Sequence, residues 1–204
     1  AKSFLEFTDQ TLGEMAESMM RVKELAISQA GDAGANEETR RVAATEVQQI
    51  FDSMVSAGNR KLGDRFIFGG FKTDRPAFDM QGNFFGDSGQ IQLEIDRELK
   101  VPLNISAEEA VFGKGLQGGV NIVQSMQSLI QGLQMDNQEM IRSSIEGLRG
   151  ATDQLSLMRT KLAGSMQSID RAINTHSLNN LQSKDAASKI EEADPMKVFS
   201  ELAR

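Results

Sequence analysis

The chain has no cysteine, no tryptophan and no tyrosine, and its one histidine is His176. Without cysteine there can be no disulfide, thiolate metal site or cysteine nucleophile. One histidine is too few for a histidine-rich metal cluster. No apolar run approaches the roughly 20 residues of a bilayer-spanning helix, so no membrane is expected. The net charge of −7 is spread over interspersed acids and bases. With no basic patch and no aromatic platform, nucleic acid is not an expected partner. Residue 1 is alanine, in mid-pattern, and no signal-peptide pattern follows it. Methionine and glutamine are plentiful, which suits packing surfaces better than a pocket.

What is present is organised around residues 137–193. Ile141, Ile145, Leu148, Leu155, Leu162, Met166, Ile169 and Ile173 lie on a ladder spaced by fours and threes. Thr152, Arg159, His176, Asn180, Ser183, Ala187 and Ile190 continue it. A period of 3.5 marks a long helix with a seam against other helices. Leu157 and Met158 widen the stripe, which suggests more than one partner. No proline interrupts it before Pro195. At 1.5 Å per residue the element would be on the order of 85 Å long, so a rod is expected.

Upstream, Leu5, Thr8, Leu12, Met15, Met19, Val22 and Ala26 predict a first helix over about 3–29. A turn at 31–36 follows, with Asn36 and Thr39 placed to cap a second helix carrying Ala43, Val47, Ile50, Met54 and Ala57. The short loop makes the two helices antiparallel neighbours. Then the period changes. Phe66-Ile67-Phe68-Gly69-Gly70-Phe71 reads as strand. Ile91, Leu93 and Ile95 against Leu99, Val101, Leu103 and Ile105 read as a β-hairpin turning at Asp96-Arg97-Glu98. Seven of the eleven phenylalanines fall between 66 and 112, enough for a small core there. Helix returns from 116 or 119 to 135, Asp136 would cap the long helix, and Asp194-Pro195 suggests a kink or restart. The expected fold is mainly α with a small β section. Residues 1–65 and 116–204 would form an elongated antiparallel helical bundle, and 66–115 a β-rich insert with a hairpin. Both ends look cut through helices.

Several motifs carry little chemistry. Gly113-Lys114-Gly115-Leu116-Gln117-Gly118 matches a dinucleotide fingerprint but lacks the flanking parallel strands, and reads as a β-to-α joint. Asn104-Ile105-Ser106 fits a glycosylation triplet inside a strand. Glu108-Glu109 and Glu191-Glu192 read as solvated helix faces. No catalytic constellation, metal site or cofactor site emerges, so no enzyme and no cofactor are expected.

Residues 186–194, ending Ser188-Lys189-Ile190-Glu191-Glu192-Ala193-Asp194, resemble the S-x-I-x-x-A-D segment of bacterial flagellins. Arg21-Val22-Lys23-Glu24-Leu25-Ala26, followed by Gln29-Ala30, resembles their R-x-x-E-L-A-x-Q-A pattern. Between them, Phe66, Phe68, Gly69, Gly70, Lys72, Thr73, Pro76 and Phe78, then Gly82-Asn83-Phe84-Phe85-Gly86-Asp87-Ser88-Gly89, depart from flagellin. They resemble the hook–filament junction proteins of the FlgL type (hook-associated protein 3). The resemblance implies a flagellin-like core and a structural role in joining hook to filament. It implies flagellin, the other hook-associated junction protein and further copies of the chain as partners, with an export chaperone possible. It also implies an extracellular place in the flagellum, reached through its channel without a cleaved signal peptide. The chain would then lack the family's paired terminal segments, and alone would stay monomeric. A short flagellin and a helical receptor or adaptor module are the alternatives.

Overall fold

Three- and four-residue spacing of apolar side chains gives one continuous stripe along α1 (Lys2–Gln29) in the computed structural model of the chain. The structure describes residues 2–31, 34–96 and 99–202, with side chains as far as 189. The stripe is buried from Leu5 to Ala26. In α2 (Glu37–Gly58) the Asn36 side chain accepts from Thr39 N at 2.9 Å, and Thr39 Oγ1 accepts from Asn36 N at 2.8 Å. This reciprocal box satisfies two otherwise orphaned donors.

Two short antiparallel hairpins follow: β1 (Lys61–Leu62) with β2 (Arg65–Phe66), and β3 (Gln92–Asp96) with β4 (Leu99–Pro102). Leu93 faces Val101 in the second, and its register shifts between Glu94 and Asp96. One turn, α3 (Ala107–Ala110), is capped by Ser106. Asn121 caps α4 (Ile122–Gln134), accepting from Gln124 N at 3.0 Å. The last element, α5 (Gln138–Leu202), has 65 residues. At 1.5 Å per residue it is about 100 Å long.

The four long helices form an antiparallel bundle, with α1 between α2 and α5, and α4 between the same two. Contacts at Lys2–Asp170 (2.8 Å), Asp9–Arg159 (2.9 Å) and Ala30–Arg142 (2.9 Å) run the length of the α1–α5 pair. Beyond Asp170, the β3–β4 hairpin lies against α5 among the described residues, where His176 Nε2 meets the Ile95 carbonyl at 3.3 Å. One core joins bundle and hairpins, from Leu5 through Phe68 and Phe78 to Ile169.

Several local expectations are corrected. Of the expected 66–71 strand only Phe66 is strand, as the end of β2, and Gly70 at φ +73° turns the chain. The fourth helix starts at Ile122, since residues 113–119 close into a turn with Ile122 N bonded to Val111 O at 2.9 Å. The long helix is capped by Asn137, whose side chain accepts from Met140 N at 3.1 Å. Asp136 instead adopts φ +52° and pairs with Arg40. No restart occurs at Pro195. The missing N–H removes one ladder bond from a very long helix, which continues to Leu202. Asp32, Ala33, Arg97 and Glu98 lie outside the described residues. So do the side chains of Ile190, Glu191, Glu192, Val198 and Leu202.

Candidate interaction site: a turn knot on a helical seam

Of the ladder on α5, Ile141, Leu148, Leu155, Leu162 and Ile169 are fully buried, while Ile145 and Met166 are half-buried against the core. Ile173 is 52% exposed. The alternate rung is not Ile145, Thr152, Arg159 and Met166 but Ser144, Ala151, Met158 and Ser165, all buried. Three of those four are small, which lets neighbouring helices approach closely. A reading that follows the larger apolar residues misses them. Leu157 points outward at 46% exposure, and Arg159 pairs with Asp9 at the surface.

Gln154, polar and off the apolar ladder, is nevertheless buried. Its Oε1 accepts from Val120 N at 2.9 Å, and its Nε2 donates to Ala110 O at 3.0 Å and Val120 O at 3.1 Å. One side chain therefore pins the glycine-rich 113–119 loop to α5.

The 66–106 region is tied around Asp87. Its Oδ1 accepts from Phe71 N and Gly89 N, both at 2.8 Å, its N–H donates to Gly69 O at 3.1 Å, and its carbonyl accepts from Ser106 Oγ at 2.6 Å. The Phe71 amide above all, then the Gly89 amide and the Lys72 charge, holds the carboxyl below its ordinary value against the opposing effect of partial burial. Gly70 must be glycine twice over: its φ is positive, and a Cβ there would collide with Asp87. Asn104 is also buried, accepting from Ile91 N at 2.7 Å and donating to Gly89 O at 3.0 Å, so the Asn104–Ser106 triplet is a structural clasp.

Among the expected motif residues, Phe66, Phe68, Gly69, Gly70 and Phe78 converge inside, whereas Lys72 and Pro76 lie at the surface and Thr73 is half-buried. Thr73 holds the motif through its backbone, its carbonyl accepting from Phe66 N at 2.9 Å. The Asn59 amide grips Phe78 N and O at 2.9 and 2.8 Å. Phe78, Phe84 and Phe112 form a triangle with centroids 5.5, 5.8 and 6.2 Å apart. Phe71 and Phe85 are 65% and 54% exposed and take no part in that core. Among the described residues no acidic or histidine group could hold a metal, and no helix is long and apolar enough to cross a membrane.

No family model and no curated protein matches the chain by sequence. Solved structures do match in fold. A Vibrio parahaemolyticus chain assigned as a flagellar hook-associated protein overlays with a TM-score of 0.82 at 20% identity, over 92% of this chain and 85% of that one. The flagellar junction protein FlgL of Legionella pneumophila gives 0.71 at 12% identity, over 84% and 92%. Bacillus cereus flagellin gives 0.60 at 17% identity, over 85% and 84%. At these identities the likeness is one of fold: a flagellin-like helical core with small β-hairpins.

Proposed function

We propose that this chain is a structural axial subunit of the bacterial flagellum, seated where the hook meets the filament. The observation that carries the proposal is the overlay on hook-associated and junction proteins over 84–92% of this chain, with higher TM-scores than that on flagellin. The Phe66–Phe78 motif folded around Asp87 supports it independently. Its work is mechanical and not enzymatic: a long seam and a tightly tied turn region make a stiff piece that can be stacked. Residues 1–65 and 116–204 serve as the rod, and 66–115 as an outer unit held on it by the shared core. Flagellin, the other hook-associated junction protein and further copies of this chain are its partners, with an export chaperone before assembly. Its place is extracellular, reached through the flagellar channel.

Deleting the gene in the source bacterium tests this. The expected result is bare hooks, with flagellin still exported and shed into the medium. Attached filaments of normal length in the deletion strain would sink the proposal. The flagellin reading predicts instead that no filament protein appears in the medium.

A further inference from the structure

The helix α4 lies in the longest uncharged stretch of a chain in which 25% of residues are charged: residues 115–135 contain no acid, base or histidine. Its outward face is a row of amides, Gln124, Gln127, Gln131 and Gln134, all exposed. Gln127 Nε2 donates to Gln81 O at 3.1 Å, which leaves its oxygen open. The side chains of Gln124, Gln131 and Gln134 have no hydrogen-bond partner among the described residues.

More amides border the row. Gln81, Asn83 and Asn121 line a cleft at its start with Gln124 and Gln127, and Gln48 and Gln49 of α2 line another at its end with Gln134. The flanking charges are already engaged: Lys114 by Glu108, Arg41 by Glu37, Asp52 by the Gln48 amide, Asp136 by Arg40 and Glu146 by Arg149. Glu139 lies past the end of the row, in the first turn of α5.

We infer that this row is a contact face for a second copy of the chain, the two α4 helices lying antiparallel about a two-fold axis. Two features of the row select its own copy as the occupant. A primary amide is donor and acceptor at once, so each glutamine complements its like. The spacing of three, four and three residues also reads the same in both directions. An antiparallel copy therefore sets Gln124 opposite Gln134 and Gln127 opposite Gln131, in both halves of the contact. Copies of net charge −7 repel one another, and least where neither brings a charge to the contact. Contacts between solvated amides contribute little net free energy, so the dimer forms at high concentration only. The inference goes beyond the axial reading and does not depend on it. A two-fold contact closes on itself, so it belongs to the chain before any stacking.

With no native cysteine, disulfide trapping reads this geometry directly. Gln124→Cys and Gln134→Cys variants are purified as the full chain, mixed at high concentration and oxidised with copper phenanthroline. Positions 124 and 134 stand about 15 Å apart along α4, beyond the roughly 7 Å between Cα atoms that a disulfide spans. The mixed dimer is therefore expected to exceed either homodimer by about tenfold. Its yield should hold in about 1 M salt, because no charge pair makes the contact. Adding Gln127→Glu and Gln131→Glu to both variants should lower the yield about tenfold by setting carboxylates against one another. Thermal melts matching the parent's show that the variants are folded. Homodimers as abundant as the mixed dimer, a yield that collapses in salt, or one indifferent to the added glutamates would overturn the contact. No cross-link at all would also overturn it, leaving the chain monomeric as the family resemblance implies.

Discussion

Arg40 on α2 and Asp136 between α4 and α5 form an ion pair across 96 positions of sequence. Arg40 is 4% exposed, and it also donates to the carbonyls of Gln29 and Gly31 at 3.2 Å. One guanidinium therefore ties both helix connections at the same end of the bundle. The φ of +52° at Asp136 aims its carboxylate at that cation.

Arg40→Ala should destabilise the chain by about 3 kcal/mol in urea melts, because it strands the Gln29 and Gly31 carbonyls and unpairs Asp136. Asp136→Asn should cost less, since asparagine tolerates the same backbone and keeps one acceptor. Equal and negligible losses for both variants would mean that the clamp contributes nothing.

On α5, Leu155→Ala should cost about 2–5 kcal/mol and Leu157→Ala within about 0.5 kcal/mol. Gln154→Ala should cost about 1–3 kcal/mol by leaving Val120 N–H and the Ala110 and Val120 carbonyls unpaired. A Gln154→Ala melt that superimposes on that of the parent chain would contradict the loop-pinning role.

The pattern of these costs reflects how much was legible in the sequence. The α1 stripe was readable because its core positions are apolar and evenly spaced. Half of the α5 seam was readable too, through Ile141, Leu148, Leu155, Leu162 and Ile169. The other half was hidden because Ser144, Ala151 and Ser165 are buried for their small size, which hydrophobicity does not register. The motif at 66–78 stood out as a string of phenylalanines and glycines. Its β-prone composition suggested a strand, whereas the positive φ at Gly70 and its contact with Asp87 make it a turn. Nothing in local sequence links Arg40 to Asp136 or Gln154 to Val120, because those pairings exist only once the helices are side by side.

Two glycines should respond in opposite directions. Gly70→Ala should cost at least about 2 kcal/mol, combining left-handed strain with the collision at Asp87. Gly164→Ala, in an exposed turn of α5 with open space around it, should add about 0.5–1 kcal/mol. Thermal melts of the two variants check both signs, and a destabilised Gly164→Ala would mean that a neighbour occupies that space.

Acid should loosen the turn region first. Asp87 has its carboxyl lowered chiefly by the Phe71 amide, and Asp79 chiefly by the Asn83 side chain. A depressed carboxyl contributes stability that is fully present above its unfolded value of about 3.9 and is lost as pH falls through the folded one. Stability should therefore decline below about pH 4, and Asp87→Asn should flatten that limb. Amide exchange at Phe71 and Gly89 reports it directly. An unchanged acid limb in Asp87→Asn would remove Asp87 from the account.

The central claim is a place at the joint between hook and filament. Immunogold labelling of flagella isolated from the source bacterium, with antibody raised against this chain, tests it most directly. The account predicts gold confined to a narrow band where the hook meets the filament. Gold distributed along the filament, or none on intact flagella, would contradict it.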